Sequence, residues 1–253
     1  MKSLIRSCFG RAAGSYYDAA SVQKDVARIC VLNCPAAHYG NVLDIGSGVG
    51  FVAENFNGDF SSTNYFSLDL TLPMLVEQQK RFMFPVMLAA DGEYLPFRKK
   101  SFDLLLSSSA MQWYMKPEIS IPETLEFLKP GGYFSFSVFI KGTLGELEDV
   151  SRRTGFGRMH KLEDERFYLN LFEGIKSLDF SHEVKDFVTL HPGVREFLKA
   201  HKMTGAGASS EKMCFGKESY RKFVSEYERL YSTDGMIKST FRSLFIYGRK
   251  KGI

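Results

Sequence analysis

Val42-Leu43-Asp44-Ile45-Gly46-Ser47-Gly48-Val49-Gly50 decides the reading of this chain. Its first residues are an apolar run of the kind that forms a buried strand. The run ends in an acid and three glycines that alternate with other residues. A dinucleotide loop follows G-x-G-x-x-G, but Phe51 follows Gly50 directly, so that pattern fails. Glycines at this spacing remove Cβ atoms and permit unusual backbone angles. A ligand can then approach the main chain closely.

The segments that follow keep an alternating strand–helix rhythm. Phe51 to Phe56 can start a helix, and Tyr65-Phe66-Ser67-Leu68-Asp69 is a short apolar strand ending in an acid. Asp69 stands about 20 residues past the glycines, where a carboxylate accepts hydrogen bonds from ribose hydroxyls. Leu88-Ala89-Ala90-Asp91-Gly92 carries a third acid at the end of an apolar stretch, and Phe102 to Ser107 is a fourth strand. Four strand ends in this order place their loops on one edge of a parallel sheet, the edge at which α/β folds bind ligands.

D-x-G-x-G-x-G at the end of a first strand resembles the class I S-adenosylmethionine (SAM)-dependent methyltransferases. The resemblance implies an α/β, Rossmann-like fold whose sheet is seven-stranded and mostly parallel, with an antiparallel last strand. It implies SAM as cofactor and S-adenosylhomocysteine (SAH) as product. The expected cofactor set is Gln23, Asp44, Gly46, Ser47, Gly48, Asp69, Leu70, Asp91, Gly92 and Ser107, with Asp91 on the adenine amino group.

The flanks narrow the resemblance. Phe9-Gly10-Arg11-Ala12-Ala13 through Tyr16 to Gln23 is similar to the N-terminal arm of the biotin-synthesis malonyl-acyl-carrier-protein O-methyltransferases. So are Ala90-Asp91-Gly92-Glu93-Tyr94-Leu95-Pro96-Phe97, Ser107 through Trp113, Gly142-Thr143-Leu144-Gly145-Glu146-Leu147, Leu198 through Ala206, and Phe241 through Lys250. Gly92 and Tyr94 depart from the commoner residues without removing a needed polar group. The implied reaction is methylation of the free carboxylate of a malonyl thioester, with acyl carrier protein or coenzyme A as carrier. That carboxylate is already ionised near neutral pH, so no general base is required. Tyr16, Gln112 and Trp113 are the candidate catalytic residues. Tyr16, Arg11, Lys141, Lys199 and Lys202 are the candidate substrate contacts. Two related readings stay open: a methyltransferase of a small free acid, and a SAM-binding respiratory complex I assembly or arginine-modifying factor.

The organisation expected is a helical arm over 1–40, a SAM-binding core over 41–142, a mostly helical lid over 143–230, and returning core strands over 231–253. Leu72 to Phe82 and Pro122 to Leu128 read as helices, and Tyr133 to Ile140 as a strand. Hydrophobic content of 44% and charged content of 25% are those of a folded globular chain. No apolar run is long enough to span a bilayer, and residues 1–14 lack the apolar centre of a secretory signal. The four cysteines lack the spacing of a zinc site and read as reduced thiols. The scattered histidines form no metal motif. A cytoplasmic monomer without metal, nucleic-acid or membrane partner is expected. A net charge of +4 permits an acidic partner. Two readings of Lys199, His201, Lys202, Lys212, Lys217, Arg221 and Lys222 stay open: the solvated faces of helices, interleaved with Glu211, Glu218 and Glu226, or a basic surface that steers such a partner.

Overall fold

The computed structural model describes residues 1–157, 160–206 and 216–252. Two helices come first, α1 (Lys2–Ala19) and α2 (Ser21–Leu32). Helix α2 buries Val22, Gln23, Val26, Ala27, Cys30 and Val31, a stripe at helical spacing. The alternating core follows with β1 (Asn41–Ile45), α3 (Phe51–Asn55), β2 (Asn64–Asp69), α4 (Leu72–Gln79), β3 (Val86–Ala89), β4 (Phe102–Ser108), α5 (Pro117–Thr124) and β5 (Leu128–Phe139). Then come α6 (Gly145–Thr154), α7 (Glu165–Glu173), β6 (Leu178–His191), α8 (Val194–Met203), α9 (Lys217–Tyr231), β7 (Ser232–Thr233) and β8 (Met236–Lys250).

The sheet runs β3-β2-β1-β4-β5-β8-β6, and the two-residue β7 pairs with β8 off this path. Strands β1 to β5 are parallel, and β8 is antiparallel to both β5 and β6. This is the mostly parallel Rossmann-like sheet with an antiparallel last strand. Both faces are covered, so alternate residues of one strand enter different cores. Leu43 and Ile45 join a cluster with Leu125 and Phe172, whereas Val42 joins Ala27, Val31 and Val52 on the other side.

Several boundaries differ from the sequence reading, among them the end of α4, which stops at Gln79 rather than Phe82. Pro117 starts α5 at its first turn, five residues before the expected Pro122, because a proline at that position gives up no intrahelical bond. The fifth strand begins at Leu128 rather than Tyr133, with a register irregularity where Pro130-Gly131-Gly132 enters it. The largest difference is β6, a 14-residue strand inside the stretch read as a helical lid. Its sequence is mostly polar because it is an edge strand. It is held by backbone pairing with β8 from Leu178↔Lys250 to His191↔Ile237, so it shows no apolar run.

The stretch 143–230 is therefore divided. Tyr168, Leu169 and Phe172 of α7 pack into the sheet core. Helices α6, α8 and α9 build their own cluster, with Leu147, Val150, Phe197, Phe223 and Tyr227 against Ile237 of β8. Helix α1 meets α8, where the Ser15 hydroxyl donates to the Met203 carbonyl at 3.0 Å.

Candidate active site

The glycine loop lies between β1 and α3, with Gly46, Gly48 and Gly50 at φ of +72°, +54° and +97°. The three have different neighbours. A Cβ on Gly46 would run into the Cβ of Ala110, and one on Gly50 would stand 2.9 Å from Phe82 and Gln78. A Cβ on Gly48 would meet nothing within 4 Å. Gly46 and Gly50 are thus packing glycines. Gly48 is the one that faces open space.

That space is a cleft of about 740 Å³ across the sheet edge, walled by Gly46, Gly48, Asp69, Leu70, Asp91 and Gly92 among others. The Asp69 carboxylate accepts from the Gly48 N–H at 2.9 Å and the Thr71 N–H at 2.7 Å. Burial raises its pKa, and these two N–H donors oppose the rise. Each carboxylate oxygen has two lone-pair sites, so both retain room for a ligand hydroxyl. Asp91 accepts from the Glu93 N–H at 3.0 Å and is ion-paired with Lys2 of α1, which also pairs with Glu93. The Tyr114 hydroxyl is buried without a partner among the described residues, and a Cβ on Gly92 would lie 2.5 Å from it.

Asp44 and Ser107 take other positions than expected, because β1 and β4 direct their side chains beneath the loop and not into the cleft. Asp44 is fully buried; one oxygen accepts from the Tyr65 hydroxyl at 3.2 Å and the other has no partner among the described residues. Burial raises its pKa to about 8; the Tyr65 hydrogen bond opposes this and the charge of Asp69 adds to it. The Ser107 hydroxyl donates to the Ile45 carbonyl at 2.8 Å and ties β4 to β1. Ser47 donates to Gln78 at 3.0 Å and lines, with Gln23, a small side pocket of the loop.

A second cavity of about 1030 Å³ adjoins the cleft. Phe9, Tyr16, Ser109 and Trp113 line both. The Tyr16 hydroxyl has no hydrogen-bond partner among the described residues, and burial raises its pKa, with a further push from Asp69. Trp113 packs edge-on against Phe9 and stacks on His160 with ring centroids 4.7 Å apart. Gln112 donates through Nε2 to the Ser109 carbonyl at 2.7 Å, and its buried Oε1 has no partner among the described residues. The remaining wall is largely apolar, from Phe139, Leu144, Leu147, Leu198 and Phe241, with His201 among it. Burial lowers the His201 pKa to about 4, so this imidazole is neutral at pH 7.

None of the basic candidates reaches this cavity. Arg11 is exposed on α1 and donates to Ser7, and Lys199 and Lys202 are exposed on α8. Lys141 lines an adjoining surface groove that shares Thr143, Ser151 and His160 with this cavity and also holds Glu148, Glu163 and Asp164. Long charged side chains on amphipathic helices stay in water, and spacing alone does not say which way a helix will turn them. Lys212, Glu211 and Cys214 lie outside the described residues. Among the described residues there is no metal-binding cluster and no helix long and apolar enough to cross a membrane.

The structure adds Lys2, Phe9, Ser109, Tyr114, His160 and His201 to the site. Ser109 lies just past the strand read over Phe102 to Ser107, in a segment noted there only for its resemblance. Its left-handed φ of +54° is a tertiary property with no local signal.

Residues 43–136 match the methyltransferase domain family, and that match, with the fold, loop and cleft, supports a methyltransferase whose methyl donor is SAM. Over its whole length the chain is similar to proteins named malonyl-[acyl-carrier protein] O-methyltransferase. The one from Herminiimonas arsenicoxydans is 29% identical and the alignment covers 98% of this chain and 96% of that protein. The one from Geobacter sulfurreducens is also 29% identical, with 97% and 98% covered. Among solved structures, the YcgJ protein of Bacillus subtilis superposes with a TM-score of 0.64 at 15% identity, over 90% of this chain and 99% of that one.

Proposed function

We propose that the chain methylates the free carboxylate of a malonyl thioester on an acyl carrier protein, at the start of pimeloyl and biotin synthesis. One observation carries the reading. Most of the acceptor cavity is built from residues outside 43–136, including Tyr16, Leu144, Leu147, His201 and Phe241. The similarity to the malonyl-specific proteins extends over those same parts of the chain.

The residues present fit SAM. Asp69 would take the ribose hydroxyls, Asp91 and the Tyr114 hydroxyl the adenine, and the open face of Gly48 the amino-acid end. When bound, SAM supplies an electrophilic methyl group on a positively charged sulfur. The chain's own part is positioning and exclusion of water. Tyr16, at the boundary of the two cavities, would orient the acceptor carboxylate. The apolar wall keeps that carboxylate poorly hydrated, and transfer removes its charge, so the wall favours transfer over the ground state. No side chain needs to exchange a proton, and the neutral His201 offers no cation that would quench the nucleophile. Lys141, Arg11, Lys199 and Lys202, placed on the outside, are left for the acidic carrier rather than for the malonyl carboxylate.

The test is mass spectrometry of malonyl-acyl carrier protein incubated with the purified chain and SAM. One methyl gained on the malonyl group supports the reading. Unchanged malonyl groups, with SAH binding shown by calorimetry, overturn it.

A further inference from the structure

We propose that Ser109 is a catalytic residue whose hydroxyl donates a hydrogen bond to the acceptor carboxylate. The inference rests on the reaction proposed above and names a group that the reaction uses.

Ser109 follows the last residue of β4 and is held from several directions. Its N–H donates to the Ser137 carbonyl at 2.9 Å, and its carbonyl accepts from Gln112 Nε2 at 2.7 Å. The next residue, Ala110, occupies the space left by the missing Cβ of Gly46, which fixes this turn against the glycine loop. Ser109 thereby lines both the cofactor cleft and the acceptor cavity. Of the four residues shared by the two, only Ser109 and Tyr16 carry a hydroxyl.

Two features of Ser109 oppose stability. Its φ of +54° is a left-handed conformation that glycine adopts more readily. Its hydroxyl is buried with no hydrogen-bond partner among the described residues. Glycine would relieve both, and alanine the second. A serine in this position makes physical sense if the hydroxyl gains a partner when the acceptor arrives. Rotation about χ1 between staggered wells is the only movement it needs.

A carboxylate attacks through one oxygen and must be held by the other. A neutral hydroxyl orients it without the strong pairing that would lower its nucleophilicity. As the O–CH3 bond forms, the S–CH3 bond breaks and its electron pair stays on sulfur. Ser109 keeps its proton throughout. Effective molarity gained by such orientation is a large part of what an enzyme without acid–base chemistry can supply.

The experiment uses the full chain with Ser109→Ala and Ser109→Gly. In both, kcat for malonyl-acyl carrier protein falls about tenfold or more, the effect of losing a hydrogen bond to a charged group. SAH affinity by calorimetry stays within about twofold of the parent, as expected when the lost group serves only the acceptor. Melting temperature is unchanged or higher. With SAH bound, calorimetric titration of malonyl-pantetheine shows weakened binding in both variants. Should the alanine variant fail to fold, the glycine variant, free of the left-handed strain, still decides. If kcat is retained within about twofold, or SAH affinity falls in parallel with kcat, the role for Ser109 is overturned. If the parent binds SAH yet leaves malonyl-acyl carrier protein unmethylated, the proposed reaction itself falls, and the Ser109 role with it.

Discussion

Gly205 packs so tightly on the N-terminal arm that a Cβ there would stand 3.1 Å from the Cα of Phe9 and 3.0 Å from the Cys8 carbonyl oxygen. Phe9 in turn lines both the cleft at the glycine loop and the adjoining cavity, and packs edge-on against Trp113. The turn after α8 therefore sets how closely α1 sits over the site, although the two are almost 200 residues apart.

Gly205→Ala should push the arm outward, because the neighbouring atoms are the backbone of Cys8 and Phe9 and the Cβ of Ala12, and φ is +70°. We expect a stability loss of about 1–2 kcal/mol from the left-handed conformation alone. Looser closure should lower kcat more than it weakens SAH binding. Thermal unfolding and steady-state kinetics check both.

The glycine loop offers a sharper comparison. Gly46→Ala should abolish SAH binding and markedly destabilise the fold, since its Cβ collides with Ala110. Gly48→Ala should leave the fold within about 1–2 kcal/mol of the parent, because only its φ is disfavoured. It should nonetheless weaken SAH binding, since the added methyl enters the open space of the cleft. Calorimetry and melting curves on the two variants separate packing from ligand approach.

Asp44 predicts a pH dependence. Its folded pKa is about 8, raised by burial from the ordinary 3.8, so the folded state favours the neutral acid. Folded and unfolded chains are alike below the unfolded pKa. Above it the unfolded chain releases a proton that the folded chain keeps, and this site's contribution to stability falls until the pH passes about 8. Asp44→Asn removes this term. Its melting temperature should match the parent near pH 4 and exceed it by several degrees near pH 8, each 1 kcal/mol being about 2–4 °C at this size.

Lys2 joins Asp91 and Glu93 from the first turn of α1 and lines the cleft. Lys2→Ala should raise both association and dissociation rates of SAH about two- to fivefold, consistent with the modest strength of partly exposed ion pairs. Stopped-flow fluorescence of Trp113, the only tryptophan, reads both rates.

The resemblance of Val42–Gly50, with acids at Asp69 and Asp91, was enough to expect a mostly parallel sheet with a ligand cleft at its strand ends. Those features are local: an apolar run, positive-φ glycines and acids at strand ends announce themselves within a few residues. Strand β6 was not legible, because its pairing is made by backbone atoms and its side chains are mostly polar. The candidate site divided along the same line. Gly48, Asp69 and Asp91 line the cleft as their spacing foretold, whereas Asp44 and Ser107 turned inward to tie strands together.

By itself, then, the order of residues determined a Rossmann-like sheet with a ligand cleft at its strand ends, because backbone conformation and alternation of apolar residues are short-range properties. Tertiary structure decided which glycine faces the cleft, that no lysine or arginine among the described residues lines the acceptor cavity, and that Tyr16, Ser109 and His201 do. Those are matters of which way a helix or turn faces once α1, β4 and α8 have packed. Packing is settled by the whole molecule, not by any one stretch of it.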